Sequence, residues 1–365
     1  MTSFEERNID LRTKVYLSDE GFGHIVRQSA ITEELQRLQP DLKLHVQTHK
    51  HLEMARKILP AEKYLDVYNN ISWHKTKMGA PDHEAIESHY KDYIQRSEKY
   101  LEIESLDAYD FVLTDFVYEA FLAAKDRGIP AFGIAHFTWD WFFSKLYPPL
   151  IETSLLKYFL NASKQASKLY FPPFSPNEII RYYGSKAVEV PLIVRRKEGQ
   201  KKISDSRFKV LIIDSGSAVL KESMMKASKQ LGVIDDVLFL SMLEGDLPEN
   251  VVQIPKGELL ADYIPEVDLV IGRAGFNTIS ECIAYRTPML LLGEGFNPEM
   301  NENIIHIKKS GLGSFMSLEQ FESDLPKFLS SFLKAEYPSL NKNMQEHEMA
   351  TNGAEVIAID ILNSL

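Results

Sequence analysis

The sequence of 365 residues is poor in cysteine and lacks long apolar runs. Its single cysteine, Cys282, excludes an internal disulfide and fits a reducing compartment. No apolar run approaches the roughly 18 residues that a transmembrane helix needs. The first ten residues, MTSFEERNID, are polar and acidic, unlike a secretory signal. We therefore expect a cytoplasmic protein without a membrane span.

Positive charge is also scarce. The 41 Lys and Arg residues face 52 Asp and Glu residues, which gives a formal net charge of -11. This balance argues against a broad nucleic-acid-binding surface, although it leaves room for a local basic groove. Apolar residues make up 44% and charged residues 25% of the chain, which is ordinary for a globular protein. The length suits two domains.

Strand-like and helix-like segments alternate in both halves of the chain, which predicts parallel sheets covered by helices. The predicted strands of the first half lie at 14–19, 43–48, 110–115 and 131–137, with helices at 24–39 and 119–128. Those of the second half lie at 208–214, 237–242, 268–272 and 288–293. The predicted fold class is α/β, with two Rossmann-like, doubly wound domains facing a central ligand cleft.

The expected boundaries follow from a Pro-rich and basic stretch near the middle of the chain. The first domain spans 1–190, the linker 191–206 and the second domain 207–345. A last helix is predicted at about 342–364. The C-terminal segment 346–365 could therefore cross back to the first domain.

Four turns rich in glycine or small polar residues follow predicted strands. They lie at 18–24, 215–218, 272–278 and 293–299. Glycine lets the backbone approach a ligand closely, and the N–H groups at a helix start attract phosphate. Any strand-to-helix turn favours glycine, so one such turn alone decides little. Two of them in the second half favour an anionic ligand.

The stretch GRAGFNTISE at 272–281 has two interpretations. Thr278 and Glu281 form the T-x-x-E pattern of a capping box, with Thr278 as the N-cap residue. Alternatively, the Glu281 carboxylate accepts hydrogen bonds from a sugar diol, while Arg273 offsets phosphate charge. The local sequence alone favours the cap.

At these residues the chain resembles the GT-B glycosyltransferases. The pattern R-A-G-x-x-T-I-S-E at 273–281 is similar to the nucleotide-binding signature of the N-acetylglucosaminyltransferase of peptidoglycan synthesis. The resemblance implies that Glu281 holds the ribose of a UDP-sugar and that Ser217 lies in a diphosphate loop. It also places His24 at the family's Gly-Gly-His turn. The first domain would then bind the acceptor and the second the donor.

A closer resemblance is to the glycosyltransferase-like N-terminal region of plant L-arabinokinase. The resemblance rests on the order and spacing of five motifs. These are GFGHIVR (21–27), LTDF (113–116), HFTWDW (136–141), VPLIVRR (190–196) and GFNTISECIAYRTP (275–288). These segments cover most of the chain between about 15 and 310. The kinase half of that enzyme has no counterpart here, so the resemblance implies no sugar-kinase activity.

One position departs from the GT-B pattern. Many of these enzymes contact the donor sugar with an acid followed by Gln, shortly before an Asn. Here the acid is Glu299 and the Asn is Asn303, but Met300 replaces the Gln. Either the donor sugar differs or transfer has been lost. The expected donor-binding residues are Gly216, Ser217, Gly257, Arg273, Gly275, Thr278, Ser280, Glu281, Glu299 and Asn303.

The candidate catalytic residues lie in the first domain. His24, at a predicted helix start, is a plausible base for an acceptor hydroxyl, because a histidine titrates near neutral pH. Asp115 ends a strand and could orient His24, bind acceptor hydroxyls or cap the next helix. Arg27, one turn after His24, could pair with an acid or a phosphate. Gly21, Gly23 and His136 are expected on the acceptor side, with the aromatic rings near 137–141 mostly in the core.

The expected function is metal-independent transfer of a sugar from a nucleotide-diphosphate sugar to the hydroxyl group of an unknown acceptor. The expected donor is a UDP-sugar. The sugar nucleotide serves as co-substrate, and no other cofactor is expected. His45, His49 and His51 lie close together but without expected carboxylate partners, so no metal site is predicted. Two alternatives stay open: a nucleotide-sugar-binding protein without transfer, and a nucleotide-sugar hydrolase or epimerase.

Overall fold

A computed structural model describes residues 10–21, 23–67, 74–76, 80–115, 117–147, 154–195, 202–213, 218–234, 236–293 and 295–365. The chain forms two compact units. The first comprises Met1–Thr76, Pro81–Arg195 and Asn352–Leu365, and the second comprises Lys77–Ala80 and Arg196–Thr351. The first unit therefore takes up both ends of the chain.

The first unit contains a seven-stranded sheet in the order β3-β2-β1-β4-β5-β6-β7, and every neighbouring pair is parallel. Its strands are β1 (Arg12–Leu17), β2 (Lys43–Thr48), β3 (Lys63–Asp66), β4 (Phe111–Asp115), β5 (Ala131–Ile134), β6 (Lys168–Phe171) and β7 (Ala187–Glu189). The central strands are buried along nearly their whole length, as expected for a parallel sheet with both faces covered.

Helices cover both faces of this sheet. They are α1 (Gly23–Leu38), α2 (Leu52–Ile58), α3 (His83–Ile103), α4 (Tyr118–Arg127), α5 (Trp139–Leu146), α6 (Ser154–Ser163), α7 (Asn177–Tyr183) and, from the end of the chain, α14 (Gly353–Leu362). Side chains of β1 alternate between two cores. Val15 and Leu17 pack with residues of α1 and α14, whereas Tyr16 packs with residues of α3, α4 and α6.

The second unit contains a six-stranded sheet in the order β10-β9-β8-β11-β12-β13, again with parallel pairing throughout. Its strands are β8 (Phe208–Ile213), β9 (Val237–Ser241), β10 (Val251–Gln253), β11 (Leu269–Arg273), β12 (Met289–Leu292) and β13 (Gly313–Met316). Its α-helices are α8 (Ala218–Leu231), α9 (Phe276–Ala284), α10 (Pro298–Ser310), α11 (Leu318–Ser323), α12 (Leu325–Ala335) and α13 (Tyr337–Glu346). Both units are thus doubly wound α/β units.

The single last helix predicted at 342–364 is wrong. The chain forms α13 in the second unit, leaves the helical conformation after Glu346, and starts α14 at Gly353 in the first unit. The Gly353 N–H donates to the Leu192 carbonyl at 3.0 Å. A Cβ at Gly353 would lie 2.1 Å from the Pro191 carbonyl oxygen, so only glycine permits this approach.

The structural boundaries also differ from the expected ones. The first unit runs to Arg195 rather than ending at 190, and the second unit reaches Thr351 rather than 345. The segment that crosses back is therefore 352–365. The difference arises because Leu192 and Ile193 pack in the first unit, where Ile193 also pairs with Asn352 in an isolated antiparallel bridge.

Candidate functional site

Polar side chains of the first unit gather where three neighbouring strands end. Because β1, β4 and β5 are adjacent and parallel, their carboxyl ends meet at one edge of the sheet. Leu17 of β1 is in register with Asp115 of β4. The segment after β1 leads into α1, which carries His24 and Arg27, and His136 follows β5. The fold therefore brings together residues from three separate parts of the sequence.

The Asp115 carboxylate is shared between His24 and Arg27. His24 Nδ1 lies 2.7 Å from Asp115 Oδ1. The Arg27 guanidinium donates from Nε to Oδ2 at 2.8 Å and from Nη2 to Oδ1 at 2.7 Å. The Asp115 side chain is fully buried, the Arg27 side chain is 3% exposed, and the His24 side chain is 12% exposed. Of the three, the histidine is the one most open to solvent.

Asp115 is held as a carboxylate. Burial would raise its pKa, but the charges of Arg27 and His24, together with their hydrogen bonds, lower the pKa to about 2. An ionised carboxylate only accepts hydrogen bonds, so His24 Nδ1 is the donor of this pair. The Nε2 atom of neutral His24 then carries the lone pair that can accept a proton.

His136 lies on the far side of Arg27. Its Nδ1 atom is 3.4 Å from Arg27 Nη1, and its ring packs edge-on against Phe137. The residue is 5% exposed. The structure therefore places this predicted acceptor-side residue beside the arginine. The neighbouring rings of Phe137, Trp139 and Trp141 belong to the core, as expected.

The turn after β1 contains two of the predicted glycines. Gly21 has φ +83, in the region that favours glycine, and Gly23 begins α1. Asp19 in the same turn is 2% exposed, and its Oδ1 accepts from the N–H groups of His49 and Lys50 at 3.0 Å. Asp19 therefore braces the loop after β2. Sequence reasoning missed this role.

The histidines near β2 do have carboxylate neighbours, contrary to expectation. His49 Nδ1 lies 2.6 Å from Asp66 Oδ1, and His45 Nε2 lies 3.5 Å from Glu62 Oε2. Both carboxylates come from the segment around β3, which sequence reasoning had not recognised as a strand. In the described ranges, no three His, Cys, Asp or Glu side chains come together as a potential metal site.

The capping interpretation of Thr278 is wrong. Helix α9 begins at Phe276, and Gly275 is its N-cap residue with extended backbone angles. Thr278 therefore lies inside the first turn, and Glu281 lies too far along the helix to reach back to the cap. The buried stripe of Phe276, Ile279 and Ile283 sets this earlier start.

Glu281 is a buried acid in the middle of α9. It is 5% exposed, and its neighbour Cys282 is a fully buried free thiol. Ser280, also fully buried, donates its hydroxyl hydrogen to the Phe276 carbonyl at 2.9 Å. Ser280 thus satisfies its own polar group within the helix. The carboxylate of Glu281 is left without the capping explanation that the sequence offered for it.

Two helix starts meet at one edge of the second sheet. Arg273 ends β11 in register with Leu292 of β12, and α9 and α10 follow these two adjacent strands. Asn303 of α10 donates from Nδ2 to the Ala274 carbonyl at 2.9 Å, which ties α10 to the turn before α9. Asn303 is 1% exposed. The backbone N–H groups at these helix starts form a suitable environment for an anion.

The remaining predicted donor residues are more dispersed. Glu299 lies in the first turn of α10, whose N-cap residue Asn297 accepts from the Met300 N–H at 3.2 Å. Met300 is 1% exposed, so its side chain packs inside the unit. Gly257 lies in the exposed loop after β10 with φ +91. Gly216 and Ser217 lie outside the described residues.

No helix within the described part of the chain is long and apolar enough to cross a membrane.

Comparisons with known proteins are consistent with this architecture. Residues 193–360 match the glycosyltransferase family 28 C-terminal domain. L-arabinokinase of Arabidopsis thaliana is 26% identical over 201 residues, which cover 52% of this chain and 19% of the plant protein. An uncharacterized glycosyltransferase of Methanosarcina acetivorans is 24% identical over 228 residues, covering 57% of this chain and 59% of its relative. The chain thus spans less than two thirds of either relative.

The fold resembles that of solved glycosyltransferases along nearly the whole chain. The spinosyn rhamnosyltransferase SpnG, solved in complex with thymidine diphosphate, matches with a TM-score of 0.63 and 14% identity, covering 96% of this chain and all (100%) of that one. The match shows the fold and confirms the expected GT-B class. The resemblance to L-arabinokinase is confirmed as well.

Proposed function

We propose that the chain transfers a sugar from a nucleotide-diphosphate sugar to a hydroxyl group of an acceptor, because it shares the GT-B fold and its second half matches a glycosyltransferase domain. The second unit would bind the donor, and the first would supply the base. The observation that carries this proposal is the pairing of His24 with an ionised, buried Asp115 at a strand-end edge.

The proposed donor site uses the edge of the second sheet where α9 and α10 begin. The N–H groups at these helix starts and the Arg273 side chain would face the diphosphate and stabilise the charge of the leaving group. Glu281 would accept hydrogen bonds from the ribose diol. Its burial within α9 supports this role, since the helix start at Phe276 removes the capping explanation. A uridine nucleotide is the proposed donor class. SpnG was solved with a thymidine nucleotide, which differs in base and sugar.

The proposed reaction is a direct displacement. His24 Nε2 takes the proton of the acceptor hydroxyl as the oxygen attacks the anomeric carbon, and the bond from that carbon to the diphosphate oxygen breaks. The nucleoside diphosphate leaves with the electron pair of that bond. Asp115 fixes the ring through Nδ1 and stabilises the imidazolium that forms. Positive charge at the diphosphate would come from helix starts and Arg273, so the proposed transfer is metal-independent.

One observation favours a second candidate function. Met300 replaces the Gln that many GT-B enzymes use on the donor sugar, and its side chain is buried in the unit. This position therefore offers the sugar no polar contact. A protein that binds a nucleotide sugar without transferring it fits this feature, as does an enzyme with an altered donor.

The deciding experiment incubates the protein with UDP-, GDP-, CDP- and thymidine-diphosphate sugars. Calorimetry measures binding, and release of nucleoside diphosphate measures turnover. We expect His24→Ala to keep donor affinity and to lose turnover by about 100-fold or more. His49→Ala is the matched control, because His49 pairs with an aspartate in the same unit but is 50% exposed.

Each other result has a distinct meaning. Binding with thermal stabilisation but no turnover would indicate the binding protein. Free sugar released without an acceptor would indicate a hydrolase. No association with any nucleotide sugar or with UDP would refute the proposal altogether.

A further inference from the structure

We propose that Arg27 is a positioning residue of the site, which orients His24 through Asp115 and whose permanent charge opposes a second positive charge on His24. This inference deepens the proposed function and rests on it. The geometry points to two separable contributions of Arg27: one from the shape of its guanidinium and one from its charge.

The shape of the guanidinium fixes the plane of the carboxylate. Arg27 donates to both oxygens of Asp115, from Nε to Oδ2 and from Nη2 to Oδ1. Two parallel hydrogen bonds leave a carboxylate no freedom to rotate, which a single contact would not achieve. The direction of Oδ1 then sets the direction of the His24 ring, since Nδ1 binds the same oxygen. Positions 24 and 27 lie on one face of α1, so the helix holds both partners.

The charge of Arg27 opposes a second positive charge on His24. Both side chains place a nitrogen 2.7 Å from Asp115 Oδ1, and the arginine side is almost completely buried. An imidazolium at His24 would share one carboxylate with a permanent cation. In a buried site this repulsion is poorly screened. Removing the arginine charge should therefore make protonation of His24 easier.

The other charged and titratable groups near His24 come from neighbouring elements. Asp115 comes from β4 and His136 from the segment after β5, where it contacts Arg27. His51 comes from the start of α2 and interacts electrostatically with His24. Burial, followed by the charge that His24 carries when it is protonated, lowers the pKa of His51. Asp19 braces the loop that carries His51, whose Nε2 lies 3.1 Å from the Asp19 carbonyl. Arg27 is therefore the permanent cation bound to the carboxylate that His24 uses.

The test compares Arg27→Gln and Arg27→Lys with wild type. Arg37→Gln is the matched control, because Arg37 lies on the same helix in surface ion pairs with Glu34 and Glu355. Two readouts are measured from about pH 5 to about pH 9. One is the pH profile of kcat/KM for the transfer reaction. The other is the protonation midpoint of the His24 ring, followed by NMR in the protein without ligand.

For Arg27→Gln we expect both midpoints to move to higher pH by about 1 unit. Arg27→Lys keeps the positive charge but cannot donate to both carboxylate oxygens in the same plane. For this variant we expect an unchanged protonation midpoint of His24, a kcat lowered about 10-fold and a KM that changes little. Arg37→Gln should match wild type in both readouts. An arginine that only neutralises a buried acid would change stability and leave both readouts as they are.

An unmoved His24 midpoint in Arg27→Gln would overturn the inference, and so would a wild-type kcat in Arg27→Lys. Where Arg27→Gln does not fold, as judged by circular dichroism, Arg27→Lys still decides through its kcat. Where no acceptor is turned over, the proposed function fails. The NMR midpoint of Arg27→Gln then still shows whether Arg27 controls the charge on His24. Where Arg27→Gln is unfolded, a moved midpoint in Arg27→Lys, which keeps the positive charge, would overturn the charge contribution.

Discussion

Replacing Asp115 with Asn should destabilise the first unit strongly. The substitution keeps the size of the side chain but removes the charge that faces Arg27, whose side chain is 3% exposed. An Asn also turns an acceptor into an NH₂ donor, so at least one contact of His24 or Arg27 would set donor against donor. Breaking a buried ion pair on one side costs about 3–5 kcal/mol. We expect a loss of that size in the free energy of unfolding.

The pH dependence of this loss has a defined sign. The pKa of Asp115 is lowered from 3.8 to about 2, so its charge stabilises the folded state. This contribution is complete above about pH 4 and disappears as the pH falls from there through about 2. Protonation alone accounts for roughly 2 kcal/mol. The stabilities of wild type and Asp115→Asn should therefore converge on acidification and differ fully at neutral pH.

Guanidinium unfolding monitored by tryptophan fluorescence provides the measurement. Trp139 and Trp141 of α5 are buried in the first unit and report its unfolding. Asp360→Asn is the matched control in the same unit. Asp360 accepts from Lys168 and Tyr170 at 2.7 Å, but the Lys168 and Asp360 side chains are 32% and 35% exposed. Surface pairs of this kind contribute roughly 0–1 kcal/mol.

A loss for Asp115→Asn no larger than that for Asp360→Asn would refute the reasoning. It would mean that Arg27 finds water or another partner when the carboxylate is neutralised. A large loss that persists unchanged below about pH 2 would also count against it, because the wild-type carboxyl would then be protonated as well.

Three further predictions concern single positions. Glu281→Ala should weaken the binding of UDP, measured by calorimetry, by at least about 10-fold, because a charged hydrogen-bond acceptor is lost. An affinity within about twofold of the wild-type value would count against a contact between Glu281 and the ribose diol. Met300→Gln should lower the free energy of unfolding by about 1–3 kcal/mol, because the amide would be buried, and it should not improve turnover. A higher transfer rate in this variant would show that the side chain at position 300 reaches the donor. Gly353→Ala should lower the melting temperature, because the new Cβ meets the Pro191 carbonyl oxygen and overpacking costs about 1–3 kcal/mol. Gly295→Ala is the control, because there is open space around the Gly295 Cα. Equal melting temperatures of the two variants would contradict the close approach at Gly353.

Most central strands could be predicted from the sequence, whereas β6 and the short edge strands were missed. Strands such as β4 and β12 are buried on both faces and therefore read as continuous apolar runs. By contrast, β7 and β10 have three residues each and are largely half-buried or exposed, so no hydrophobic pattern marks them. The alternation of strands and helices was nevertheless sufficient to predict two doubly wound units.

The start of α9 shows how tertiary packing overrides a local signal. The T-x-x-E pattern predicted a cap at Thr278, but burial of Phe276 begins the helix at that residue. For the same reason the break before α14 was missed, because its cause is the contact of Gly353 with the distant Leu192 and Pro191. A sequence window cannot contain such a partner.

The first-unit site was predicted in part. The positions of His24 at a helix start and Asp115 at a strand end followed from the α/β pattern, and the helical spacing of Arg27 indicated a shared face. That one carboxylate binds both residues depends on the adjacency of β1 and β4, which are far apart in sequence. The roles of these residues in transfer, and those of the donor-binding residues, stay predictions.

The return of the chain through Gly353 makes the second unit an insertion within the first. A fragment ending at Arg195 would lack α14, and with it the fully buried side chains of Ile357 and Ile361. Such a fragment should expose apolar surface and aggregate unless residues 352–365 are added back. Exchanging the second unit between relatives therefore requires two junctions, one near Leu192 and one near Gly353, rather than a single cut.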